Sequence, residues 1–176
     1  MNKNDLIIID DFLDNVDDVR KEALLLSYTK SPIDSKGWKG YRCLEENELA
    51  SNLGDKIKQR LLTLDPKFTH SDFKYYFHYT LSEDGGNENI IHKDEKSDYA
   101  GVLYLSPGAP PKSGTSFYND RGVEIHYLEN IYNRLVIYPS NEWHSLKESF
   151  GSDINNGRLT FTFFCKLKIK NTSSLI

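Results

Sequence analysis

The spacing of apolar residues changes period once along the chain, near residue 70, and the change separates a helical part from a stranded part. Residues 6–9 form a short apolar run stopped by Asp10 and Asp11, the pattern of a buried strand. Behind Asn15, a residue able to cap a helix, Val16, Val19, Ala23 and Leu26 make an inward stripe. Asp17 and Asp18 sit where a helix dipole favours negative charge, which predicts an amphipathic helix of about twelve residues. Residues 31–43 have loop composition, with Pro32, Gly37 and Gly40, and carry Trp38, Tyr41 and Arg42. Leu49, Leu53, Ile57, Leu61 and Leu64 recur at helical spacing and predict a second helix over 48–64, ended by Asp65 and Pro66.

From Phe73 the period becomes two. Tyr75, Phe77 and Tyr79 alternate with Lys74, Tyr76, His78 and Thr80, predicting a strand over 73–81 with one aromatic face and a turn over 83–87. Further strands are expected at 90–92, 101–105, 115–118, 122–127, 134–138 and 158–168, with a loop at 106–111 and a turn at 139–141. Strands in this number after two helices predict an α+β fold, mainly β, built as a barrel or double-sheet jelly roll with supporting N-terminal helices. The expected layout is one domain over 1–176: an N-terminal strand, two helices and a loop over 1–70, then a stranded core over 73–168.

Composition narrows the function more than the fold. The chain has 176 residues, 38% apolar and 27% charged, with nine Phe, eleven Tyr and two Trp, as expected of a soluble globular protein rich in strand-forming residues. A net charge of −4 argues against a nucleic-acid partner, which would call for clustered Lys and Arg. The alternating Lys166, Lys168 and Lys170 read as a solvated strand face. Cys43 and Cys165 are too few and too distant for a disulfide framework, and no apolar run reaches membrane-spanning length or the form of a signal peptide. The expectation is a reduced, cytoplasmic protein with no membrane partner, its oligomeric state left open.

Candidate chemistry gathers around histidine. His92 and Asp94 stand two apart, so on an extended segment both side chains leave the same face, as two ligands of one ion must. His144 follows the apolar run 135–138 after a short turn, and is the expected third ligand. Two imidazoles and a carboxylate can take one face of an octahedral Fe(II), leaving the other open. A lone H-x-D pair carries little weight by itself. His70, His78 and His126 are read as surface or packed histidines. Arg158 opens an apolar strand and offers a planar cationic fork for a carboxylate.

The order of these motifs carries a resemblance. His92-x-Asp94, the strand Val102-Leu103-Tyr104-Leu105, the entry Gly114-Thr115-Ser116-Phe117, the run Arg134 to Pro139 leading to His144, and Arg158-Leu159-Thr160-Phe161 together resemble the catalytic core of the 2-oxoglutarate and Fe(II)-dependent dioxygenases, in their prolyl-hydroxylase-like branch. The resemblance implies a double-stranded β-helix, a cupin-like jelly roll, in which His92, Asp94 and His144 hold Fe(II). It implies that Arg158 pairs with the distal carboxylate of 2-oxoglutarate, with hydroxyls from Thr160, Tyr104 and Tyr79 as further donors. The co-substrates would be 2-oxoglutarate and O2, with ascorbate as a candidate reductant and succinate and CO2 as products. A carboxylate at Asp94 favours hydroxylation over halogenation. The substrate expected is peptidyl, prolyl-like, or amino-acid-like, a small molecule being the alternative, and Trp38, Arg42, Asn141 and Trp143 are the candidate substrate contacts. Arg158 stands fourteen positions after His144, with a polar loop over 149–157.

Two readings from other classes make different demands. A non-catalytic ligand-binding jelly roll gives no reason for a guanidinium inside an apolar strand end, where an unpaired charge is costly. A cupin-like protein with a structural or hydrolytic metal would need a further histidine ligand, and the barrel strands offer only His78 and His126.

Overall fold

The computed structural model describes residues 6–32, 38–69, 71–84 and 90–167. Among the described residues, ten strands and two α-helices follow in chain order: β1 (Ile7–Ile9), α1 (Val16–Ala23), β2 (Thr29–Lys30), β3 (Tyr41–Arg42), α2 (Glu48–Leu64), β4 (Ser71–Thr80), β5 (Tyr99–Tyr104), β6 (Thr115–Tyr118), β7 (Glu124–Leu128), β8 (Leu135–Pro139), β9 (Trp143–Leu146) and β10 (Arg158–Leu167). They form a seven-stranded sheet in the order β1-β8-β5-β10-β4-β3-β2 and a three-stranded sheet in the order β7-β6-β9. Every pairing is antiparallel. This is the expected mainly β architecture, a jelly-roll double-stranded β-helix with two helices laid on one side.

The central strands of the larger sheet, β5, β8 and β10, are buried on both faces for most of their length, and strand parity decides what each face carries. On β10, Leu159, Phe161, Phe163 and Cys165 face the helices, where they join Leu103, Leu135, Ile137 and Phe77 in one core with Val19, Ala23, Leu53, Ile57 and Leu61. The alternate residues of the same strands turn inward between the two sheets. There Val102, Tyr104, Val136 and Tyr138 pack with Phe117 and Leu128 in a second core. Gly54 lets α2 lie close on the sheet, because a Cβ there would stand 2.6 Å from the Tyr75 ring.

The helices follow their patterns unevenly. α2 has the predicted span, and Asn47 caps it by accepting from the Ala50 N–H at 2.8 Å. α1 is only eight residues long, and Asn15, although at its N-terminus, makes no side-chain cap. Past Ala23 the chain tightens, with Leu25 N–H bonding Glu22 C=O and Leu26 N–H bonding Ala23 C=O. Arg20 leaves the helix to donate to the carbonyls of Leu105 and Asn155, tying α1 to the polar loop before β10.

Other expectations shift. Residues 90–92 form no strand: only His92 is paired, in an isolated bridge with His144. The segment 31–43, read as loop, contains β3, which adds Tyr41 and Arg42 to the edge of β4. His144 lies on a strand of its own, β9, in the smaller sheet, rather than after a strand end. His70, the residues 85–87 of the predicted turn, Lys168 and Lys170 lie outside the described residues, while Lys166 pairs with Asp98 at 3.4 Å. Among the described residues, no helix is long and apolar enough to cross a membrane.

Candidate metal centre

His92 and His144 are held in register by backbone bonds. Each donates its N–H to the other's carbonyl at 3.0 Å, which places the two imidazole rings 4.4 Å apart between centroids. Asp94 is fixed by a bond from its own N–H to the Ser140 carbonyl at 2.8 Å, on the turn between β8 and β9. Its carboxylate meets both rings, Oδ2 at 3.2 Å from His144 Nε2 and Oδ1 at 3.6 Å from His92 Nε2. One ligand atom from each of the three residues lies within 4.8 Å of the others. Donors bound to one ion at right angles stand roughly 3 Å apart, so the spacing fits a common ion.

The histidine tautomers follow from their other nitrogens. His92 Nδ1 stands 2.9 Å from the Ile90 carbonyl and His144 Nδ1 stands 2.9 Å from the Glu142 carbonyl. A carbonyl only accepts, so both Nδ1 atoms carry the proton and both Nε2 lone pairs face the carboxylate, the arrangement a metal requires. Burial and the neighbouring His144 hold the His92 imidazole below its ordinary value, which further favours the neutral form.

The three residues lie on the wall of a cavity of about 410 Å³, in the range of roughly 300–1,000 Å³ common for small-molecule sites. Arg158, 5% exposed, lines the same cavity from the start of β10. Its Nε donates to the Ser113 carbonyl at 2.7 Å, and its guanidinium carbon lies 5.5 Å from the centre of the Tyr104 ring. Tyr104 is fully buried and shares a 2.7 Å hydrogen bond with Thr115, which itself lines the cavity. Thr160, paired with Tyr104 across β10 and β5, donates its hydroxyl to the His78 carbonyl at 3.1 Å. Neither Tyr104 nor Thr160 lines the cavity itself: Tyr104 packs its ring against the Arg158 guanidinium, and the Thr160 hydroxyl is taken up by β4.

The remaining expected site residues divide. Trp38 and Arg42 line the cavity. Tyr79 does not: it pairs with Leu159, shares that residue's helix-facing side, and stacks on Tyr41 with ring centroids 4.4 Å apart. Its assignment as a co-substrate donor is corrected by strand parity. Trp143 is corrected for the same reason, since it alternates with His144 on β9; its Nε1 donates to Asp120, and Lys93 lies over its ring at 4.7 Å. Asn141 is exposed on the turn before β9 and is not part of the cavity wall.

Among the described cavity residues, Tyr138 was not singled out by pattern reading, and His78 was read only as a surface or packed histidine. His78 Nε2 donates to the Lys39 carbonyl at 2.6 Å, and Trp38 meets its ring edge-on at 5.9 Å. It is not a ligand, and His126 on β7 faces Phe117 away from the cavity. Tyr138 packs its ring 4.9 Å from that of His144, and burial beside Asp94 keeps its hydroxyl protonated. Their shared signal was parity, since each stands an even number of residues from an inward-facing neighbour on its own strand, Thr80 for His78 and Val136 for Tyr138.

Neither a family model nor a curated protein sequence matches the chain. Solved structures do. A prolyl-4-hydroxylase from Pseudomonas putida superposes with a TM-score of 0.61 at 18% identity, covering 94% of each chain. The fold is that of the 2-oxoglutarate and Fe(II)-dependent oxygenases. A prolyl hydroxylase from Trichoplax adhaerens, in complex with a hypoxia-inducible-factor peptide fragment, gives a TM-score of 0.71 at 13% identity, covering 99% of this chain and 89% of its own. HygX from Streptomyces hygroscopicus, with nickel and 2-oxoglutarate bound, gives 0.65 at 12%, covering 94% and 84%. At these identities the oxygenase likeness is one of fold, and the chemistry has to be argued from this chain's own side chains.

Proposed function

We propose that the protein is an Fe(II)- and 2-oxoglutarate-dependent dioxygenase that hydroxylates a peptidyl or amino-acid-like substrate. The observation that carries the reading is the meeting, on one cavity wall, of two correctly protonated imidazoles, a carboxylate and a buried arginine with no described carboxylate partner. A binding module would gain nothing from burying that guanidinium, whereas a dicarboxylate co-substrate gives it a partner. A further histidine ligand, which a cupin-like hydrolytic or structural metal site would call for, is not found among the described residues.

His92 and His144 would present Nε2 and Asp94 one carboxylate oxygen to the metal. With 2-oxoglutarate and O2, Fe(II) in such a site supplies an oxidative decarboxylation that yields succinate and CO2 and leaves one oxygen atom for a substrate C–H bond. Arg158 would take the distal carboxylate of 2-oxoglutarate through its terminal nitrogens, while Ser113 holds Nε and Tyr104 supports one face of the guanidinium. Val102, Leu146 and Phe164 supply an apolar lining that limits water near the reacting groups. Arg42 on β3 and Trp38 in the segment before it line the same cavity and would meet the substrate.

The test is succinate formation from 2-oxoglutarate with Fe(II), ascorbate and air, alongside direct binding of Mn(II) and 2-oxoglutarate. His92→Ala and Asp94→Ala are expected to lose metal binding, and Arg158→Ala to keep the metal but bind 2-oxoglutarate about 10- to 100-fold more weakly. A parent protein that binds neither Mn(II) nor 2-oxoglutarate overturns the reading.

A further inference from the structure

Arg42 is a second guanidinium in the cavity, and the proposed reaction does not say which group of the substrate it would meet. It enters on β3, a two-residue strand paired with β4 so that Arg42 stands opposite His78. Gly40 lets this segment close on β4: it has φ +83°, and a Cβ there would lie 2.4 Å from the Tyr79 carbonyl oxygen. The guanidinium then packs over two rings, with its central carbon 4.8 Å from the Trp38 centroid and 5.0 Å from that of Tyr76. Contact with a ring face supplies no lone-pair acceptor for an N–H donor. Nε is buried with no hydrogen-bond partner, and among the described residues no carboxylate lies within ion-pairing distance of the group.

Charge points the same way. On the proposed function, which this inference rests on, the 2-oxoglutarate dianion and Asp94 together balance a divalent ion and Arg158. The charge of Arg42 remains. Among the described lining residues, Lys93 and Asp84 offset one another, so they do not reverse the sign. A desolvated guanidinium held against two rings, with a buried Nε that has no partner, is a receptor for a planar anion, which can accept two parallel N–H bonds.

We propose that Arg42 selects the primary substrate by its carboxylate, so that the molecule hydroxylated is a carboxylic acid: a free acid such as an amino acid, or an acidic side chain of a peptide. Trp38 and Tyr76 fix the plane of the fork, and His78 positions Trp38 through its bond to the Lys39 carbonyl. The substrate carboxylate sits on Arg42, and the carbon to be oxidised lies between it and the metal centre.

Trp38 provides a direct readout, because the chain has only two tryptophans and Trp143 can be replaced by Phe. In the Trp143→Phe protein, Trp38 fluorescence is followed while free L-amino acids, their carboxamides, and short peptides with or without Asp and Glu are added, with and without Mn(II) and 2-oxoglutarate. Expected is a response to at least one acid and none to its matched amide. Response to free acids identifies a small molecule, and response to acidic peptides alone identifies a peptidyl one. Arg42→Gln is expected to weaken that binding about 10- to 100-fold, and Arg42→Lys by less, with 2-oxoglutarate affinity unchanged in both. Equal binding of acid and amide, no response to any acid, or loss of 2-oxoglutarate rather than acid binding in Arg42→Gln would each overturn the proposal. Acid binding that persists in a protein unable to bind Mn(II) or 2-oxoglutarate would uphold the Arg42 receptor and refute the oxygenase reading.

Discussion

His78 stands on β4 within the fields of two guanidinium groups, and burial first, then Arg42 and Arg158, push its imidazole down to about 3. The ordinary value in an unfolded chain is about 6.5. Above that pH the ring is neutral in both states and contributes nothing to pH dependence. Below it the unfolded chain takes up a proton that folded His78 refuses, so this residue lowers stability progressively as pH falls from about 6.5 towards 3. Urea midpoints measured between pH 7 and 4 should therefore fall less steeply in His78→Gln, which keeps a donor for the Lys39 carbonyl, than in the parent. Equal slopes would show that the proton is not excluded. His92 and Asp94 could be singled out by their spacing of two and His144 and Arg158 by their place beside apolar runs, although only His144 and Arg158 lie on strands. Tyr79 was not, since being inward or outward depends on a parity that one residue of register reverses.

The strands show where that parity comes from. β10 carries Leu159, Phe161, Phe163 and Cys165 towards the helices and Arg158, Thr160 and Thr162 inward, so one ten-residue segment builds a core on one side and the site on the other. Such a segment reads clearly from sequence, as do α2 and β6. β2 and β3 do not, because two residues contain no period to recognise, and β3 is fixed by pairing with Tyr79 and His78 rather than by local preference. The α1 stripe continued to Leu26, yet the helix stops earlier as its last carbonyls are met by tighter turns. Contact between α2 and the sheet depends on Gly54. Gly54→Leu should cost about 1–3 kcal/mol in urea unfolding, as the Tyr75 ring it would displace is stacked on Phe161 at 5.6 Å. Helix propensity favours Leu over Gly, so an unchanged or stabilised variant would mean that the sheet yields easily here.

Across the whole molecule, the candidate metal centre joins parts that are otherwise held apart. His144 belongs to β9 in the smaller sheet, Asp94 is tied through Ser140 to the end of β8 in the larger one, and His92 reaches both only through its bridge to His144. An ion held by all three would cross-link the two sheets at the open end of the barrel, and it would bind the folded state far better than the unfolded one. Mass action then sets the size of the effect: at a free concentration of 100 times its dissociation constant, Mn(II) should add about 2.7 kcal/mol, or roughly 5–10 °C in Tm for a chain of this length. Thermal unfolding with and without Mn(II) measures this without any turnover. Asp94→Ala should abolish the shift, since it removes the one carboxylate that contacts both rings, whereas Arg158→Ala and Arg42→Gln should retain it because neither residue touches the ligand atoms. The variants thus separate the two halves of the site: the metal couples to the joining of the sheets, and the two arginines couple to the anions. A Mn(II) shift that survives Asp94→Ala would place the ion elsewhere and remove the basis for a shared metal at these three residues.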